Sequence, residues 1–352
     1  MPAPAEPAIW FPAIRAGTGV DIFTQRLCEA LRARGIQTGI TWLPHRAEYA
    51  PWSVQKPKRP EWANITHVNT WLHQSLLPSD SLVVATMHHS VHDEAMRPFK
   101  SWKQQLYHHA WVRPTETWIL GRADRVTSVS LHTANEVRRT FGVNSEVIHN
   151  GLDLKLFKPP LRRAPRNTFI LIYVGSWSTR KGTDLLTPIM EHLGDGFELV
   201  YTASTGFPMG NRLPANCRSI GRPDVASLVR AYQQSDALLF PSRLEGFGQV
   251  AAEAMACGLP VIAGCNSALP EIVSSKETGF LVEGDDVPAY AAAIRRLRDD
   301  HNLWRRMSSA ARLSTEANFD VDRMTDRYIE LYRRLLDQRS HAHEPRNGQQ
   351  DG

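Results

Sequence analysis

FPSRLEGFGQVAAEAMACGLPVIAGCNSALPEIV, residues 240–273, is the stretch on which the reading of this chain turns. An apolar strand, Ala237 to Phe240, ends shortly before Gly246 and Gly248 bracket Phe247, and a run of helix formers begins at about Gln249. Glycines at such a turn let backbone N–H groups face a ligand. Gly258 and Pro260 stop the helix, and Val261 to Ala263 begins another strand. Glu245 lies before the helix and Glu253 inside it, a spacing that over a helix gives about 12 Å of rise and about 80° of rotation. Carboxylates so separated cannot share one proton or one metal. They suit the two ends of an elongated, hydroxyl-rich ligand, such as a sugar joined to a nucleotide. The helix dipole alone would also favour solvated glutamates there, so the rest of the chain has to decide.

At 352 residues the chain exceeds the roughly 250 to 300 at which a single core stops growing, and two domains are expected. Cys28, Cys217, Cys257 and Cys265 form no CxxC or Cys/His cluster, which argues against structural zinc and against a disulfide framework. With no charged-then-apolar leader and no apolar run near 18 residues, a cytoplasmic location is expected. The net charge of +5 favours an anionic partner. No zinc finger, RNP-like aromatic motif or long basic run supports nucleic acid.

Working outward, the N-terminal half opens as strand, glycine loop and helix: PAIWFPAI at 7–14, a loop over 15–19, then an amphipathic helix over 20–34. GTG at 17–19 is no dinucleotide fingerprint, because Phe23 and Thr24 stand where a third glycine would, but Gly17 and Gly19 could bring amides close to a phosphate. Further strands are expected at 37–43, 65–71, 82–88, 125–130 and 146–148, with a helix over 131–141. Ligands of open α/β sheets sit beyond the carboxyl ends of strands, which places His88, His89, His92 and Asp93 where a substrate is expected. HHSVHD does not fix a metal geometry, so hydrogen bonding to substrate is favoured over metal binding, with plain surface histidines as the alternative. Residues 97–122 mix Arg97, Lys100, Lys103, Arg113 and Arg122 with Trp102, Trp111 and Trp118. That composition fits an anionic membrane face or, equally, core tryptophans on a helix.

GLDLKLFKPPLRRAPRN at 151–167 is the best linker, and the expected organisation is an acceptor-side domain over 1–155, a linker over 156–167 and a second domain over 168–319. A strand at 169–174 runs into GSWSTRKG, where Lys181 can neutralise phosphate charge. Strands at 197–202 and 217–221 and a helix at 225–235 continue the βα alternation, and Asn266 or Ser267 is the expected cap of a helix holding Pro270 and Glu271. Three helices close the chain, the last at 320–337, and 338–352 reads as a disordered tail. Asp320 and Asp322 form a DxD that reads as a helix cap rather than a metal site.

With these elements placed, the sequence resembles glycosyltransferase family 4, retaining enzymes of GT-B fold in which two Rossmann-like, doubly wound domains face a cleft. The resemblance spans about residues 8–337 and rests on EGFGQVAAE, AMACGLPVIA and LPEIV, with ADRVTSVS, VIHNGLDLKLFKP and VGSWSTRKG in the expected order. It implies that Glu253 binds the ribose, that Glu245 and the Gly246–Phe247–Gly248 amides meet the sugar, and that Lys181 holds the diphosphate. It also implies that Gly17 and Gly19 lie near the phosphates, that His88, or His89 in its place, lies near the reacting sugar, and that the last helix crosses back to the first domain. Two positions depart from the family pattern. Ser176 stands where a phosphate-binding arginine is common, leaving Arg180 as the cation placed to substitute, and His149 replaces a usual proline.

The function so implied is transfer of a sugar from a nucleotide diphosphate sugar to a glycan or lipid-linked acceptor, in polysaccharide or lipopolysaccharide assembly. No metal or other cofactor is expected, and peripheral contact with the inner face of an anionic membrane is. The competing reading is a catalytically inert GT-B nucleotide-binding or scaffold protein.

Overall fold

The computed structural model describes residues 6–161, 167–203 and 213–342, and for 341 and 342 the backbone alone. The N-terminal half comprises β1 (Ala8–Ile14), α1 (Gly19–Ala33), β2 (Gln37–Leu43), β3 (Ile65–Asn69), β4 (Leu82–Met87), α2 (Trp102–Tyr107), α3 (Arg113–Arg122), β5 (Arg125–Ser128), α4 (Leu131–Phe141) and β6 (Glu146–Val147). The C-terminal half continues with β7 (Phe169–Tyr173), α5 (Thr183–Leu193), β8 (Phe197–Tyr201), β9 (Cys217–Ser219), α6 (Val225–Gln233) and β10 (Ala237–Phe240). It ends with α7 (Gln249–Ala256), β11 (Val261–Gly264), α8 (Leu269–Ile272), β12 (Gly279–Val282), α9 (Val287–Asp299), α10 (His301–Asn318) and α11 (Val321–Ala342).

Two six-stranded sheets result, ordered β2-β1-β3-β4-β5-β6 and β12-β11-β10-β7-β8-β9. Every pairing in them is parallel. This follows from the sequence pattern, because strands covered on both faces must be apolar throughout: all of β1, β4 and β10 is buried. Strand order reverses between β1 and β3 in one sheet and between β7 and β10 in the other. Such switch points open a crevice at the carboxyl ends of the strands.

The last helix ties the two halves together. Met324, Tyr328, Leu331, Tyr332 and Leu335 of α11 join the core of the first sheet with residues of α1 and β1. Beneath them His67 bonds Tyr332 Oη at 2.6 Å and Thr86 Oγ1 at 2.7 Å, and Thr86 bonds Thr127 at 2.6 Å. Asp320 Oδ1 accepts from the Asp322 amide at 2.9 Å, a cap at the start of α11.

The structure corrects several sequence expectations. The final helix runs on to Ala342, past the expected boundary at Asp337, because a helix once formed gains one backbone hydrogen bond per added residue without needing an apolar face; the rest of the expected tail, and 162–166 of the expected linker, lie outside the described residues. Neither Asn266 nor Ser267 caps α8: Ala268 precedes the helix without a side-chain cap, and Ser267 takes a left-handed φ of 51°. β12 is an element the sequence reading omitted.

Candidate active site

The two switch points face one another, and between them lies a cleft of about 570 Å³. Its first wall comes from loops after β1, β2, β3 and β4, including Gly19, Glu48, Trp71, His88 and His89; its second comes from loops after β7 and β10, including Arg180, Lys181, Glu245 and Gly246 to Gln249.

The second wall is built on two glycine turns. Gly182 sits at φ 71°, and a Cβ there would lie 2.0 Å from the Pro241 carbonyl oxygen, so only glycine lets the turn after β7 press against the turn after β10. That contact brings Lys181 Nζ to 2.6 Å from Glu245 Oε1, with both side chains largely buried. Burial pushes the Glu245 carboxyl up, but the charge and hydrogen bond of Lys181, with the charge of Arg180, outweigh it and hold the group below the ordinary carboxylate value. Ser267 Oγ accepts from the Glu245 amide at 2.8 Å, which accounts for its strained backbone. Arg180 lines the cleft and donates to the Leu244 carbonyl at 2.9 Å, whereas Ser176 is exposed.

Gly248, at φ 97°, starts α7 and sets the Gly246–Gly248 backbone in the cleft wall. Glu253 does not line the cleft. It is buried one turn behind Gln249, whose Nε2 donates to it at 3.2 Å, and Tyr232 Oη donates at 3.4 Å. Burial pushes its carboxyl above the ordinary value. Arg26 of α1, which the sequence reading did not single out, lines the cleft, lies within Coulombic reach of Glu253 and donates to the Gly151 carbonyl at 2.6 Å.

On the first wall, His88 follows β4 and packs edge-on against Phe23 at 4.6 Å between centroids. Burial lowers the His88 imidazole to about 4; burial first, then the charge of Arg180, lowers His89 to about 4 as well. Both rings are therefore neutral near pH 7, and among the described residues His89 Nε2 has no hydrogen-bond partner. His92 and Asp93 do not belong to the cleft wall. His92 pairs with buried Glu116 at 3.0 Å, and Asp93 pairs with His132 at 2.9 Å while capping the following turn through Ala95. Gly17 also stays off the wall, its amide donating to Asp21 Oδ2 at 2.8 Å, whereas Gly19 lines it. Among the described residues no three His, Cys, Asp or Glu side chains gather as a metal site.

The walls are joined directly. Ser130 and Thr133, at the start of α4, donate to the Gly246 carbonyl at 2.6 and 2.9 Å. Glu271 of α8 reaches across to accept from the Leu131 and His132 amides, each at 2.7 Å, and His149 Nε2 lies 3.4 Å from the same carboxylate. Glu271 therefore caps a helix of the opposite half. A pattern of S-x-x-T opening α4 signals a capped helix in the sequence, but nothing local pairs it with Glu271.

Two of the three tryptophans of 97–122 are not core residues, Trp102 being 69% and Trp118 39% exposed, with Leu106 at 59% nearby on α2, whereas Trp111 is half-buried against Trp52 and His73. Lys103 lies over the Trp102 ring at 5.6 Å, while Lys100 turns inward to the Val91 carbonyl. Among the described residues no helix is long and apolar enough to cross a membrane.

Two parallel α/β sheets facing a cleft, with cations and a glycine turn on one wall, define the GT-B class of glycosyltransferase fold. The Glycosyltransferase Family 4 model matches residues 42–156 and the Glycosyl transferases group 1 model matches residues 211–314, and the chain belongs to glycosyltransferase family 4. D-inositol 3-phosphate glycosyltransferase 1 of Catenulispora acidiphila is 30% identical over 254 residues, covering 63% of this chain and 60% of that protein. The chain spans about half to three-fifths of the length of the curated relatives it matches. Sucrose-phosphate synthase from Thermosynechococcus elongatus shares the fold, with a TM-score of 0.78 and 22% identity over 95% of this chain and 100% of that one. Anabaena HepE in complex with UDP and glucose does so with a TM-score of 0.69 and 15% identity over 93% and 99%.

Proposed function

We propose that the protein is a retaining, metal-independent glycosyltransferase that moves a hexose from a nucleotide diphosphate sugar to a glycan or lipid-linked glycan. The observation that carries this reading is the pairing of Lys181 with Glu245 beside Arg180 and the Gly246–Gly248 turn, at the switch point of the second sheet. Lys181, Arg180 and the amides at the start of α7 supply positive potential for a departing diphosphate without a cation, and Arg180 takes the role that Ser176 leaves open. Glu245, held ionised, accepts hydrogen bonds from sugar hydroxyls rather than giving up a proton. Glu253 receives the ribose after Gln249 moves aside. Neutral His88 and His89 face the reacting sugar from the other wall.

In this mechanism the acceptor hydroxyl attacks the anomeric carbon on the face the diphosphate leaves, the carbon–oxygen bond to the diphosphate breaks, and the hydroxyl proton passes to the departing phosphate oxygen. The contacts of Ser130, Thr133 and Glu271 across the cleft hold it closed around this step. A cytoplasmic enzyme working at a membrane face in polysaccharide or lipopolysaccharide assembly is supported by exposed Trp102 and Leu106 beside Lys103. Co-sedimentation with vesicles containing anionic lipid should fall several-fold in Trp102→Ser with Lys103→Gln; unchanged binding would remove that surface from the reading.

The deciding experiment is a thermal-shift and calorimetric screen with UDP, GDP and ADP, UDP first because HepE of the same fold binds it. One nucleotide should bind, its sugar should be transferred or hydrolysed without added divalent cation, and Glu245→Gln should abolish turnover. No binding would defeat the assignment; binding without turnover would favour the inert scaffold.

A further inference from the structure

The cleft is larger than the grip on its second wall, and the first wall carries a distinct set of groups. Glu48, on the turn after β2, lines it with its side chain only 16% exposed. Its backbone carbonyl accepts from Trp111 Nε1 at 2.9 Å, and its carboxylate faces Tyr107 Oη at 3.5 Å and His45 Nε2 at 3.5 Å. No lysine or arginine is among these partners. The cationic side chains lining the cleft are otherwise placed: Arg180 and Lys181 on the second wall, and Arg26 on the Gly151 carbonyl. Trp71, on the same wall, donates its indole N–H to buried Glu116 at 2.9 Å and so offers the cleft only carbon.

A carboxylate and an indole lining one cleft wall are the chemistry that recognises a sugar ring, the carboxylate accepting from hydroxyls and the indole packing on C–H groups. The same carboxylate repels a phosphate. Resting on the glycosyltransferase reading, we infer that Glu48 and Trp71 form the acceptor subsite and select a neutral, hydroxyl-bearing ring over its phosphorylated counterpart. This would set the chain apart from the curated relatives whose name specifies D-inositol 3-phosphate.

The test uses the full chain saturated with the nucleotide that the screen identifies, and measures saturation-transfer NMR binding of two matched pairs: myo-inositol with D-inositol 3-phosphate, and methyl glucoside with glucose 6-phosphate. The neutral member of at least one pair should bind the wild type at least ten-fold better than the phosphorylated member. Glu48→Gln should narrow that ratio about ten-fold, and Trp71→Leu should weaken neutral and phosphorylated members alike, with nucleotide affinity unchanged in both variants. Better binding of the phosphorylated members, a ratio unmoved by Glu48→Gln, or no binding of either pair would overturn the inference while leaving the donor assignment standing. Failure to bind any nucleotide would instead defeat the parent reading, and this inference with it.

Discussion

Two glutamates of similar burial behave oppositely, and their partners explain why. Glu245 has Lys181 at 2.6 Å and an acidity greater than ordinary; Glu253 has only neutral hydrogen-bond partners, with Arg26 acting at longer range, and is the weaker acid. Since the folded pKa of Glu245 is depressed, its stabilising contribution is present above the unfolded value near 4.3 and is lost as pH falls through the lower folded value. Lys181→Met should cut transfer by about 100-fold and move the acid limb of the pH–rate profile upward, because it removes the charge that keeps Glu245 ionised. An acid limb that stays put would show that Lys181 does not govern Glu245. Glu253 has the opposite sign: its folded state favours the protonated form, and stability is lost as pH rises through the folded value. Glu253→Gln should leave thermal stability unchanged or raise it by about 1 kcal/mol near pH 7, while nucleotide affinity falls about ten-fold. A destabilised variant with unaltered affinity would make Glu253 structural.

At the scale of elements, the turns rather than the helices carry the site. A Cβ on Gly246 would lie 2.1 Å from the His88 carbonyl oxygen, which belongs to the opposite wall, so its smallness sets how closely the halves approach. Gly246→Ala should therefore lower transfer by more than about 100-fold while circular dichroism and nucleotide affinity stay near wild type; full activity would show that the close approach is dispensable. The Gly246–Gly248 turn is legible as Gly-x-Gly after an apolar run, and the turn after β7 as GSWSTRKG between two glycines, as are α7 and its stop. Other pieces are not. β12 is a short GFLV stretch without alternation, and Gly279, whose Cβ would meet the Val261 carbonyl at 2.0 Å, marks it only once the neighbouring strand is known. HHSVHD looked like one cluster, yet the backbone after β4 turns His88 and His89 into the cleft and sends His92 and Asp93 to partners on α3 and α4.

For the molecule as a whole, acid is the predicted weakness. Burial is the leading cause that lowers His67 to about 3 and His88, His89 and His108 to about 4. Below about pH 6.5 the unfolded chain takes up protons that the folded one refuses, so stability should fall steadily from there to about pH 4. Thermal melts across that range would check it, and His67→Gln should give a shallower slope; a flat profile in the wild type would refute the buried-neutral assignment. The sequence by itself determined the α/β alternation, the two sheets and the family, because apolar runs, glycine turns and helix stops are local and each limits the backbone wherever it occurs. Tertiary structure alone decided which of the named residues share a cleft, that Glu271 caps a helix of the other half, and that Glu48 and Trp71 stand opposite Lys181. Those relations depend on how two sheets face each other, and the packing that sets this is distributed over α11, the α4 N-terminus and the Gly246 contact rather than written in any one segment.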